Sequence, residues 1–111
     1  MAHGRRENSR LLGAEMTVDM LRETLKALEE VFISGKDNLW AAVMHSLLDD
    51  LDASLDSTDI SDLSRKIIHM CGGMGTFGDA VIYNNGNYPR ELNDDLSLLR
   101  TRLYKIANRL A

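Results

Sequence analysis

The chain holds one cysteine and one proline in 111 residues. A lone cysteine cannot close an internal disulfide, which excludes a secreted fold stapled by disulfides and points to a reducing compartment. No apolar run approaches the ~20 residues of a membrane span. The arginines Arg5 and Arg6 are not followed by the apolar segment of an export signal. Lysine and arginine are missing altogether between Ser46 and Ser64, where six aspartates fall: Asp49, Asp50, Asp52, Asp56, Asp59 and Asp62. A nucleic-acid binder needs a basic stripe to neutralise phosphates, and the middle of this chain would repel them.

What is present is the composition of one ordinary globular domain, 44% hydrophobic and 27% charged. At this length roughly two-thirds of the unfolded surface can be buried around a single core. The net charge of −4 is unevenly spread: residues 1–15 carry +1, residues 16–64 carry −8, and residues 65–111 carry +3. Residues 1–15 are expected to form a flexible tail and residues 16–111 a single helical domain.

Apolar spacing gives the fold. Val18, Leu21, Leu25, Leu28 and Phe32 alternate steps of three and four, which puts them on one helical face. Thr17 is the expected N-cap and Gly35 the expected end of this helix. A second helix opens at Asp37 and carries Trp40, Met44, Leu47 and Leu51, with Val43, Leu48 and Leu55 widening the stripe. Ser57 or Thr58 is expected to cap a third, built on Ile60, Leu63, Ile67 and Met70 and stopped by Gly72 and Gly73. The fourth begins near Pro89 and carries Leu92, Leu96, Leu99, Leu103, Ile106 and Leu110. Arg100, Arg102, Lys105 and Arg109 gather toward its end, where the helix dipole favours cations. Four amphipathic helices bury their stripes only against one another, so the expected fold is all-α, a compact four-helix bundle. A homodimer through the last helix is the lesser expectation beside a monomer.

Between the third and fourth helices lies a Gly-rich irregular connection containing Gly72, Gly73, Gly75 and Gly78. Long connections in small domains are often functional. Phosphate binding is disfavoured, because no Walker lysine follows and the loop leaves the negative end of a helix. Positive φ is expected at Gly72 or Gly73, and Met74, Phe77 and Val81 are expected to turn inward. Asn85-Gly86 reads as a turn. His45 and Asp49 share a helical face as a hydrogen-bonding pair, and no metal-ligand spacing accompanies them. The stretch from Asp56 to Asp62 lacks the glycine and the bidentate glutamate of a calcium loop, so capping is the better account. Cys71, at a helix C-terminus, reads as a structural thiol rather than a nucleophile. No catalytic triad or carboxylate dyad stands out. No enzyme activity, cofactor or metal is expected.

Gly72-Gly73-Met74-Gly75-Thr76-Phe77-Gly78-Asp79, followed by a helix with Leu99-Arg100 and Leu103-Tyr104, resembles an element shared by a family of small bacterial proteins. The resemblance spans Ile67–Leu110, with Gly78 standing where asparagine is expected. It implies a bacterial, cytoplasmic protein and no particular activity.

By elimination, the expected function is protein interaction: an immunity protein that neutralises a toxin, nuclease toxins included, through an acidic surface. The expected partner has a basic surface, and neither nucleic acid nor membrane is expected. The candidate partner-binding residues are Asp49, Asp50, Asp52, Asp56, Asp59 and Asp62, with Phe77, Asp79 and Tyr83 of the Gly-rich loop. Two readings stay open beside it: a small ligand-binding or enzymatic domain using that loop with Asp79, Tyr83 and His69, and a structural helical subunit assembling through Leu92–Leu110.

Overall fold

A computed structural model describes residues 2–72, 77–83 and 86–111, with side chains described from Glu15 onward except for Asp79. It contains four α-helices: α1 (Ala2–Ser34), α2 (Asn38–Ala53), α3 (Ser57–Cys71) and α4 (Arg90–Leu110). Phe77–Asp79 forms one 3-10 turn between α3 and α4. α1 packs along both α2 and α4, α3 packs on α4, and α2 touches α3 more lightly. This is an all-α four-helix bundle. Where a flexible tail is expected at 1–15, the described backbone from Ala2 onward belongs to α1, and the side chains up to Ala14 lie outside the described residues.

The stripes do face inward. Leu21, Leu25, Leu28 and Phe32 of α1 meet Met44, Leu47 and Leu51 of α2, Leu63 and Ile67 of α3, and Leu96, Leu103 and Ile106 of α4 in one buried cluster. Leu99, expected on the buried stripe of α4, is only partly buried. Ala107 and Leu103 take the inner positions of α4 and rotate Leu99 to the seam. Leu55 does not widen the stripe of α2 either. That helix ends at Ala53, and Leu55 stands 92% exposed on the turn that follows.

α1 ends after Ser34 and α4 begins after Pro89, as expected, while other details of the helix ends depart from expectation. Thr17 lies inside α1 rather than at its start. At the other end, Lys36 N–H reaches the Ile33 carbonyl at 3.0 Å and Asp37 N–H the Phe32 carbonyl at 2.8 Å. This is a Schellman closure. Its left-handed residue is Lys36, at φ 61, and not Gly35. Gly35 serves another need: a Cβ there would lie 2.5 Å from Cγ2 of Ile82, so the missing side chain makes room for the returning loop. Asp37 caps α2 as expected, accepting the Trp40 N–H at 3.2 Å. The cap of α3 is Asp56, not Ser57 or Thr58; its carboxylate accepts the Asp59 N–H at 2.9 Å. Gly72 is extended, with φ −101, rather than left-handed, and Gly73 lies outside the described residues. Gly86 does have φ +80, as a turn residue should.

Candidate functional site

The first candidate surface is the corner where α2 turns into α3. Its backbone is firmly tied. Ser54 N–H donates to the Leu51 carbonyl at 3.2 Å, and its hydroxyl donates to the Asp50 carbonyl at 2.9 Å. Asp59 accepts the Leu55 N–H at 2.9 Å while Asp56 accepts from Asp59, an exchange close to a capping box. Two of the six aspartates therefore hold the turn itself, and they present Leu55 outward.

The other four have partners in space. Asp52 pairs with Arg22 of α1 at 3.3 Å, Asp50 with Lys66 at 3.5 Å, and Asp62 with Arg65 at 3.5 Å. Asp49 lies 3.8 Å from Nε2 of His45, whose Nδ1 lies 2.9 Å from Glu29. The partner Glu29 was not expected from sequence. Sixteen residues separate it from His45, and only the packing of α1 on α2 brings them together. All these pairs are open to solvent, where each contributes roughly 0–1 kcal/mol. Six carboxylates still outnumber the three cations Arg22, Arg65 and Lys66 around them. A hollow of about 280 Å³ between Asp50, Asp59, Asp62, Leu63 and Lys66 opens at this corner.

The second candidate surface is the Gly-rich loop. Phe77 is fully buried. Its ring lies 5.9 Å from Phe32 and 5.2 Å from Trp40, so it belongs to an aromatic cluster at the end of the bundle rather than to a surface offered to a partner. Ile82, not Val81, is the other inward residue; Val81 is 45% exposed. The side chain of Asn93 clamps Ile82 by accepting its N–H at 2.8 Å and donating to its carbonyl at 3.0 Å. Nδ2 of the same amide also reaches the Pro89 carbonyl, at 3.0 Å.

Arg100, expected only as a charge near a helix end, is the second clamp. It donates to the carbonyls of Phe77 at 3.1 Å and Ala80 at 2.8 Å, with its guanidinium 5.9 Å from the Phe77 ring centre. Neither clamp could be read from spacing, because the groups they hold are backbone N–H and carbonyl groups around an irregular segment. Tyr83 is 65% exposed and packs edge-on against Tyr88 at 5.7 Å. The side chain of Asp79 and residues 73–76, Met74 among them, lie outside the described residues.

Beside the loop, a groove of about 750 Å³ runs between the end of α3 and α4, lined by Ile68, His69, Cys71, Arg100, Thr101 and Tyr104. Burial pushes the Cys71 thiol above its ordinary value, and the Arg100 charge only partly offsets this. A protonated thiol is a poor nucleophile. Among the described residues no three His, Cys, Asp or Glu side chains come together as metal ligands. No described helix is long and apolar enough to cross a membrane.

No curated protein matches the chain, and no solved structure does. One family model does, over the stretch that carries α2, the acidic corner, α3 and the Gly-rich loop. That model, which matches residues 33–90, is described as "Domain of unknown function (DUF6966)"; the match covers more than half of the chain, which therefore belongs to this family.

Proposed function

We propose that the chain is a bacterial protein-binding module of the immunity type, acting in the cytoplasm, which docks the α2–α3 corner onto a basic surface of a toxin. The observation that carries this reading is Leu55, 92% exposed on a turn held by Asp56 and Asp59, with an excess of carboxylates around it. A rigid apolar anchor costs little entropy on binding, and surrounding charges of one sign steer a partner of the other. Local ion pairs do not oppose this. Exposed pairs are weak enough for a partner's arginines and lysines to take over the carboxylates.

The test is co-expression with the toxic domain encoded directly upstream, in a genome that carries such a pair. The wild-type chain is expected to restore growth. A variant combining Leu55→Asp with Asp49→Asn, Asp50→Asn and Asp62→Asn, which leaves both capping aspartates in place, is expected to lose protection at equal expression. Protection by that variant would move the interface away from the corner, and failure of the wild-type chain to protect would overturn the reading.

A further inference from the structure

We propose that the outer face of α1 and α4 is a self-association surface, on which two copies of this chain pair antiparallel about Leu98. Among the described residues no third helix lies over this face. Adjoining hollows of about 370, 450 and 230 Å³ follow the seam, floored by Ala27, Val31 and Leu99 and continuing past Met20 to Ile106. Leu98 stands beside them 62% exposed, a projecting side chain next to the shallow site left by Ala27.

Charge selects the occupant. Glu91, Asp95, Leu98, Arg102, Lys105 and Arg109 advance by steps of four and three and are all exposed, so they form one outward stripe on α4. Its first half is acidic, its second half is basic, and Leu98 lies between. None of these charged side chains has an ion-pair partner among the described residues, nor have Asp94 and Glu30, which add to the acidic half. Glu23 borders the basic half without pairing there.

A second copy laid antiparallel with Leu98 on Leu98 sets Glu91 opposite Lys105, and Asp94 or Asp95 opposite Arg102, in both directions at once. That is the self-complementarity a two-fold contact requires. Parallel pairing would set like charge on like. α4 is 21 residues long, and at 1.5 Å per residue with helices about 10 Å wide the two-helix face offers roughly 600 Å² per copy, at the low end of stable interfaces. A concentration-dependent dimer is the expected form.

Sedimentation equilibrium of the full chain tests this. At about 100 μM the wild type should sediment at twice its 12.4 kDa mass, with Leu98→Glu monomeric and unchanged in far-ultraviolet circular dichroism. Asp95→Lys alone and Arg102→Glu alone should each weaken the dimer at least about ten-fold, and their equimolar mixture should recover it, because each variant then meets the opposite charge. A monomeric wild type would overturn the proposal. A dimer that survives Leu98→Glu, or a mixture no better than its components, would do so equally.

Discussion

The α2–α3 corner and the α1–α4 face carry much of the exposed charge of this molecule, and the chain treats them in opposite ways. At the corner nearly every carboxylate is answered from within: by a backbone N–H at the start of α3, by Arg65 and Lys66 on α3, or by Arg22 thirty residues away on α1. On the outer face of α4, acids and bases stand at opposite ends of one stripe with no ion-pair partner among the described residues. In the sequence the aspartates look unpaired, and the cations of the last helix look placed for its own dipole alone. Space reverses both impressions. A surplus of one sign suits a partner of the other sign, whereas two segregated signs suit a second copy.

Both surfaces rest on one frame, and the largest expected effects come from breaking it. Leu103→Ala, at a fully buried position of α4, should cost about 2–5 kcal/mol in chemical denaturation. Leu98→Ala, five residues earlier on the same helix, should change the stability of the folded chain by no more than ~0.5 kcal/mol. Equal costs would mean that the outer face of α4 is not outer. Asn93→Ala should cost about 1–3 kcal/mol, since it strips the buried Ile82 N–H of its acceptor and the Ile82 carbonyl of a donor. Gly35→Ala should cost about 1–3 kcal/mol because its Cβ meets Ile82.

Within the corner, Asp56→Ala and Asp62→Ala separate the two duties of its aspartates. Loss of the cap should cost about 1 kcal/mol, while loss of the exposed Arg65 pair should fall within ~0.5 kcal/mol. Similar thermal midpoints for the two would mean that Asp56 does not hold the turn. The smallest effect concerns Cys71. Its thiol is raised in the folded state, so the stability linked to keeping it protonated is present at neutral pH and lost as pH climbs through its folded value, above the ordinary 9.0. Thiolate absorbance should accordingly develop above pH 9.0 in the folded protein and earlier in denaturant.

How much of this was legible in the sequence follows from range. The four stripes could be read because helical periodicity is local: Leu21, Leu25 and Leu28 announce their face through spacing alone. Asp37 as a cap is equally local, three residues from its donor. The end of α1 after Ser34 was local too, but the residue that takes its left-handed turn was not, because Gly35 is reserved for the close approach of Ile82, forty-seven positions on, and Lys36 turns instead. The aspartates were legible as a cluster but not as a network, since Arg22 and Glu29 come from another helix. The loop yielded least. It is held by Asn93 and Arg100 through backbone groups, and backbone groups leave no mark in a sequence.

The claim that charge of one sign and charge of two signs serve different contacts is tested most directly by sedimentation equilibrium on two variants under one set of conditions. Asp49→Asn/Asp50→Asn/Asp62→Asn, altered at the corner alone, should keep the dimer mass of the wild type. Leu98→Glu, altered on the α4 stripe alone, should fall to the 12.4 kDa of a single chain. A corner variant that dissociates, or a stripe variant that stays paired, would contradict the account.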